Sequence, residues 1–397
     1  VAAADPINTL AALKESADQA LRRADPANAR VLFEQATALA PGRVDIWLGL
    51  AASRRALGDP AGALEAVEGA LTAEPRSFPA LLMKGSLLEA LGKETQAAIH
   101  YGTVVRLAPP PAQLAGPTRA ALERAFALHE RYAKNLAASL KEEAGVTAET
   151  GVLARRADAF IEALAGRRPV FHQEPVLFHY PGLPAIEFYE RDEFPWLEAL
   201  EAETDAIRDE VREMWGDGGP GLEPYIEYPP GVPVDQWVEL NHSPRWTAYH
   251  LLRDGKPVEA NAARCPKTMA ALEVVDQPNV AGRSPAAMYS ILKPHTRIPP
   301  HTGVANTRVV LHLPLIIPEG CGFRVGGETR QWREGEAWVF DDTINHEAWN
   351  NSDHPRAIFM CDVWSPRLSH EEREMIARIA VALDRFNGFS PQAEADL

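Results

Sequence analysis

Residues 286–317 read AAMYSILKPHTRIPPHTGVANTRVVLHLPLII. Two apolar runs, AAMYSIL and TRVVLHLPLII, flank a segment rich in Pro, Thr, Gly and Asn. Short β-branched and aromatic runs bounded by such residues are strand signals. The pattern continues through GFRV, EAWVF and RAIFMCDVW, each broken from the next by Gly, Pro or charge. Many short strands with turns between them imply a barrel or a sandwich. The stretch LSHEEREMIARIAVALDRF then predicts a closing helix, with Ser369 as N-cap before an acidic first turn. Upstream, residues 194–215 read as a helix, and from about 168 the chain becomes richer in Trp, Tyr, Phe, His and Pro.

The first 110 residues are different: rich in Ala and Leu, and periodic. Pro41, Pro75 and Pro109 are spaced 34 apart, and each ends a helical pattern (TALAP, TAEP, RLAP). Leu57-Gly58 returns as Leu91-Gly92, Asp25-Pro26 as Asp59-Pro60, and Ala29 as Ala63 and Ala97. This period resembles the tetratricopeptide repeat. Small residues let paired helices approach, Pro stops the second helix, and stacked units share a core. An Ala-rich bundle with accidental spacing is the plainer reading, and several independent matches at one period oppose it. The Pro-rich PPPAQLAG is a linker, followed by helical patterns over 117–145 and 150–166 that cap the array or bridge it onward. The expected organisation is therefore α+β: tetratricopeptide-like helices over 1–110, a helical capping or linker region over 111–167, and a β domain over 168–397.

A net charge of −15 repels phosphate backbones and anionic surfaces, so nucleic acid is not an expected partner. Cys265, Cys321 and Cys361 are too few for a disulfide framework. A reducing, cytoplasmic location is the natural expectation. No run approaches the ~20 apolar residues of a membrane span. The opening VAAADPINTL lacks the basic start and long apolar centre of a signal peptide, although a segment already removed would leave the same picture.

Seven of the twelve histidines lie between 242 and 354. His301 follows two prolines, His312 sits in VVLHLPL, and His346 in DDTINHEAWN. Strands converging on one mouth can assemble such residues, but imidazole suits Fe, Zn, Cu and Ni alike, so histidine does not name the metal. Singly, each also reads as a surface or core histidine. Arg356 opens the apolar strand RAIFMCDVW. A guanidinium entering a barrel needs an anionic partner, and its planar fork matches a carboxylate. Ser290, in MYSIL, offers a hydroxyl from a neighbouring strand. Metal ligands with an arginine on the last strand make a layout for a metal-bound dicarboxylate.

Residues 286–366 resemble the aspartyl/asparaginyl β-hydroxylase domain. The similar stretches are MYSILKPHTRIPPHTGVANTR, HLPLIIPEGCGFRVGGETRQWREGEAWVFDDTINHEAWNNSD and RAIFMCDVWSP. A weaker likeness runs back through RWTAYHLLRDGKPVE and ARCPKTMAAL. The resemblance implies a double-stranded β-helix, a cupin-like jelly roll, and tetratricopeptide-like helices precede that domain in some relatives. It implies an Fe(II)-, 2-oxoglutarate- and O2-dependent dioxygenase hydroxylating the β-carbon of Asp or Asn in a peptide or protein, which the repeats could present. It makes His301 and His346 the iron ligands and Ser290 and Arg356 the partners of the distal carboxylate of 2-oxoglutarate. It sets His312 near the metal-bound end of that cosubstrate and Trp246 in the pocket wall. Arg308 would face cosubstrate or substrate. Relatives often carry an arginine two residues before the His312 position, where this chain has Val310.

Most enzymes of this chemistry add a carboxylate ligand two residues after the first histidine. Here that residue is Gly303, and the β-hydroxylases are similar in lacking the carboxylate. Water would fill the position, and Asp341 or Asp342 could bond it or simply form a turn. Four other readings compete: an oxygenase acting on a lipid acyl chain or free amino acid, a halogenase using the vacant position, a zinc or storage cupin, and a repeat scaffold with an inert barrel.

Overall fold

The structure is a computed structural model describing residues 6–145 and 151–388. The first five residues of the opening stretch, and the start at 150 of one expected helix, lie outside the described residues. The chain divides into two compact units, up to Pro169 and from Val170.

In the first unit, α1 (Pro6–Arg22), α2 (Pro26–Leu39), α3 (Val44–Ala56), α4 (Pro60–Ala73), α5 (Phe78–Ala90) and α6 (Glu94–Leu107) pack in sequential pairs. Pro41, Pro75 and Pro109 each stand one residue beyond the C-cap of the second helix of a pair. At the other end, Asp25 and Asp59 cap α2 and α4 by accepting from the N–H of Asn28 (3.1 Å) and Gly62 (2.8 Å). Pro26 and Pro60 follow them in the first turn, where a missing N–H costs nothing. Ala29, Ala63 and Ala97 are fully buried at the helix contacts. These are tetratricopeptide-like helix pairs. α7 (Gly116–Glu143) and α8 (Val152–Leu164) continue the unit, with Ala125 and Leu128 of α7 in one cluster with α5 and α6.

The turn inside each pair needs a left-handed residue. Gly58 (φ 77°) and Gly92 (φ 72°) supply it in the second and third pairs, whereas Ala24 (φ 59°) holds that place in the first. An L-residue there costs about 1–2 kcal/mol, while glycine loses about 0.4–1 kcal/mol through its freer unfolded chain. Ala24→Gly is therefore expected to stabilise the repeats by about 0.5–1 kcal/mol, seen as a higher urea midpoint. A lower midpoint would contradict the left-handed turn at 24.

The second unit begins with α9 (Leu197–Ala202) and α10 (Thr204–Gly216), so the helix expected over 194–215 is broken at Glu203. There the Thr204 hydroxyl donates to the Glu201 carbonyl (2.6 Å) rather than leaving the turn to regular backbone pairing. Next come β1 (Glu223–Pro224), β2 (Trp246–Arg253), β3 (Lys256–Pro257), α11 (Glu259–Ala262) and α12 (Pro266–Ala271). Eight strands follow: β4 (Ala287–Leu292), β5 (Thr296–His301), β6 (Arg308–Ile316), β7 (Cys321–Val325), β8 (Glu328–Arg330), β9 (Trp338–Phe340), β10 (His346–Asn350) and β11 (Arg356–Trp364). All pair antiparallel in two sheets, ordered β1-β2-β4-β11-β6-β9, with β3 on β2, and β5-β10-β7-β8. From β4 onward the chain shuttles between the sheets, a topology compatible with a jelly roll. The closing helix α13 (His370–Phe386) starts on a Ser369/Glu372 capping box, as the sequence predicts.

The larger sheet is buried on both faces. Tyr249, Tyr289, Leu311 and Phe359 pack with Leu197, Leu200, Ile207 and Val211 of α9 and α10. Trp246, Leu292, Val310 and Ile358 face Phe323 and Ala348 of the smaller sheet. Double burial is why RAIFMCDVW is almost continuously apolar instead of alternating with polar residues. Any polar side chain it sends inward is consequently costly.

Candidate active site

β5 carries His301 at its end and β10 carries His346 at its start, and the two residues are register partners. Pro299 and Pro300 fit within β5 because it is the edge strand of its sheet, where one row of backbone N–H groups is not needed. The imidazole centroids are 4.0 Å apart. Each Nδ1 lies against a carbonyl, Pro299 O for His301 (2.8 Å) and Ile344 O for His346 (3.0 Å). With Nδ1–H donating there, each Nε2 keeps its lone pair, the form that binds a metal. Burial pushes His301 down to about 3, helped by neighbouring His346, and His346 to about 4. Both rings are therefore neutral at neutral pH. Among the described residues no group of three or more His, Cys, Asp or Glu side chains is gathered for a metal.

Arg356 is 1% exposed. Its Nε has no hydrogen-bond partner, and Nη1 reaches only the Ser290 carbonyl, at 3.4 Å. The guanidinium lies 5.0 Å from the Trp332 ring, and burial pulls its pKa down to about 10. No carboxylate is paired with it by a salt bridge among the described residues. Arg356 and Trp246 are both register partners of Leu292, and Trp246 Nε1 donates to Ser290 Oγ (3.0 Å). His312 is buried against Phe340 (4.7 Å) and Phe323 (5.0 Å) with its Nδ1 unpartnered. Burial and the nearby Arg356 charge hold its imidazole well below the ordinary range.

The fold thus gathers His301, His346, His312, Ser290, Trp246 and Arg356 around one interior. Sequence reasoning missed the aromatic shell. Trp237 meets His301 at 4.9 Å and Tyr225 stacks on Trp246 at 3.8 Å. Trp237 belongs to a short 3-10 turn, whose approach to β5 no periodicity signals.

Arg308 lies at the other end of the β6 face that carries His312. It meets Asp342 at 3.1 Å and Asp362 at 3.3 Å. Burial lifts the Asp362 carboxyl above its ordinary range while Arg308 pulls against that shift. Asp341 is a turn residue, accepting from the Thr343 N–H (3.0 Å), the Thr343 hydroxyl and Gln173 Nε2 (both 2.5 Å). Asp342 is different, since its Oδ1 is buried and unpartnered. Its carboxylate fills the space beside Gly303, where an added methyl group would overlap Oδ2. Arg308, Asp342, Val310, Tyr225, Met288 and Met360 line a cavity of about 490 Å³, a size suited to a small ligand. Val304, Trp364, Ile376 and Ile379 also line it, whereas His301, His346, His312, Ser290, Trp246 and Arg356 are not among its described lining residues.

The second unit is thus a two-sheet sandwich in which two histidines face each other and a buried arginine has no carboxylate partner among the described residues. The family model for aspartyl/asparaginyl β-hydroxylase matches residues 201–366, which lie within this unit. The mouse aspartyl/asparaginyl β-hydroxylase is 35% identical over 207 residues, 51% of this chain and 26% of that protein. Human aspartate β-hydroxylase domain-containing protein 2 is 31% identical over 51% of this chain and 54% of its own length. The ornithine lipid ester-linked acyl 2-hydroxylase of Rhizobium tropici is 33% identical over 49% of this chain and 66% of its own. The match thus spans about a quarter of the mouse protein. The Sgt2 tetratricopeptide domain of Aspergillus fumigatus, 22% identical, overlays 36% of this chain and 85% of its own at a TM-score of 0.27.

Proposed function

We propose that this protein is an Fe(II)- and 2-oxoglutarate-dependent hydroxylase acting on an unactivated carbon. Arg356 carries the reading. A fully buried guanidinium without a carboxylate is costly unless an anion completes it, and a distal carboxylate of 2-oxoglutarate would do so with the Ser290 hydroxyl beside it. His301 and His346 would hold the iron, with their tautomers fixed by the Pro299 and Ile344 carbonyls. His312, with a free buried nitrogen, would bond the other end of the cosubstrate, and Trp246 would wall the pocket. Iron, when bound, supplies oxygen activation coupled to decarboxylation of 2-oxoglutarate. The net reaction converts R–H, O2 and 2-oxoglutarate to R–OH, succinate and CO2. The chain's own part is to position the dicarboxylate, exclude water with its aromatic shell and keep both imidazoles neutral.

Asp342, its Oδ1 buried and unpartnered and its carboxylate against Gly303, could accept from a water on a metal held by His301 and His346. A chloride there would face the same carboxylate, which speaks against a halogenase. Arg356 likewise speaks against a storage cupin. The family name points to the β-carbon of Asp or Asn in a peptide, and the repeats would present it on a concave surface. An acyl chain is the second reading, favoured by the apolar Met288, Met360, Ile376 and Ile379 in the cavity lining. The test is succinate formation that requires both Fe(II) and 2-oxoglutarate, with a product heavier by one oxygen. No succinate under any substrate would overturn the reading.

Gly303→Asp would restore the commoner carboxylate in sequence, but its Cβ alone meets Asp342. The variant is expected to displace Asp342 from Arg308, lower the melting temperature and turn over at least about tenfold more slowly. Full activity with the introduced carboxylate on the metal would show that the water position is dispensable.

A further inference from the structure

The cavity that Asp342 borders on the far side from Gly303 has both of its arginines already engaged. Two arginines line it. Arg283 is paired with Asp384 through Nε (3.0 Å) and Nη2. Arg308 is shared by two carboxylates, Asp342 and Asp362. Among the described lining residues there is no lysine, and a third carboxylate, Asp254, is present. Arg308, Val310 and His312 alternate along β6 and share its interior face. Val310 is the register partner of both Asp362 and Phe340. A second arginine at 310 would stand next to Asp362 and leave one guanidinium free, but the valine there brings only an isopropyl group.

A carboxylate entering this space would shed its water and face Asp342 and Asp362. It would find no lysine and no arginine free of a carboxylate, with the exposed His179 the one other basic side chain among the described lining residues. Like charges placed together in a dry site cost several kcal/mol. A primary amide carries no charge, and its N–H groups can donate to either carboxylate.

Resting on the hydroxylase reading above, we propose that the pocket selects an uncharged, amide-type reacting group and rejects a carboxylate. In peptide terms it takes asparaginyl and refuses aspartyl side chains. Val310 and the Arg308–Asp362 pair determine this specificity.

The experiment uses the full chain and two matched pairs of probes: an Asn and an Asp peptide, and a fatty amide with its fatty acid. Binding is measured calorimetrically without iron, and turnover by succinate release with iron. The amide of at least one pair should bind and react on the order of a hundredfold better than its acid. Val310→Arg should narrow or reverse that ratio. Asp362→Asn, which keeps an acceptor for the Ala286 N–H, should raise acceptance of the acid. Equal response to both members, preference for the acid, no response to either pair, or an unchanged ratio in both folded variants overturns the proposal. Failure to form succinate with any probe, despite amide-selective binding, overturns the hydroxylase reading instead.

Discussion

His301→Ala and His346→Ala are each expected to abolish 2-oxoglutarate turnover and metal binding while the sandwich still folds. The two rings face each other at 4.0 Å, and no third protein donor is gathered beside them among the described residues. Either substitution leaves a single imidazole for the metal. Loss of a mere supporting partner of a ligand costs about 10–100-fold in affinity, so loss of one of two ligands costs more. The fold should survive because both residues sit at strand ends and each makes a side-chain hydrogen bond to a nearby carbonyl, although His346 also packs on Phe340. Metal content after dialysis, succinate release and the far-ultraviolet dichroism separate the effects. Near-normal consumption of 2-oxoglutarate by either variant would remove that histidine from the site. Loss of metal without loss of the fold is the outcome a purely structural histidine could not give.

The repeats were legible because their signals are local. A capping Asp, a following Pro and a left-handed Gly act within a few residues, so a 34-residue period exposes them. The strands were legible where both faces are buried, as in β4, β6 and β11. β5 was not legible as a strand, because Pro299 and Pro300 signal a break unless its place at the sheet edge is known. The polar residues of the interior fared similarly. His312 and Arg356 stand out as rare polar groups on apolar strands, whereas His301 and His346 were picked out by the family resemblance. Asp362 lies in the same RAIFMCDVW strand, three alternations after Arg356 and on the same face, and period-two reading alone would have found it. The carboxylate of Asp342 against Gly303 was beyond such reading. It depends on a loop crossing from one sheet to the other, joined by the Gly303 N–H to Asp342 O bond (2.6 Å).

Arg356→Met is expected to stabilise the unliganded protein and to destroy its affinity for 2-oxoglutarate. In most folded proteins a buried arginine has a carboxylate, and removing it leaves that partner stranded. Here nothing is stranded, since Arg356 Nε is unpartnered and Nη1 has only a long contact with a carbonyl. Replacing a buried ion pair by apolar chains of similar volume can gain about 1–4 kcal/mol. A guanidinium without a carboxylate has no attraction to lose, so a gain of the same order is expected. The lost contact with Trp332 returns about 0.5–2 kcal/mol of that. The net is a gain of about 1–2 kcal/mol, several degrees in melting temperature for a unit of this size. With cosubstrate the sign reverses. Loss of a bidentate partner for a buried carboxylate costs about 3–5 kcal/mol, more than a hundredfold in affinity. Saturating 2-oxoglutarate should therefore raise the melting temperature of the wild type and leave that of the variant unmoved. Arg356→Lys should fall between, because an ammonium keeps the charge but not the fork. A variant that melts lower than wild type without ligand would mean that Arg356 has a structural partner. A variant that still binds 2-oxoglutarate normally would mean that the dicarboxylate sits elsewhere.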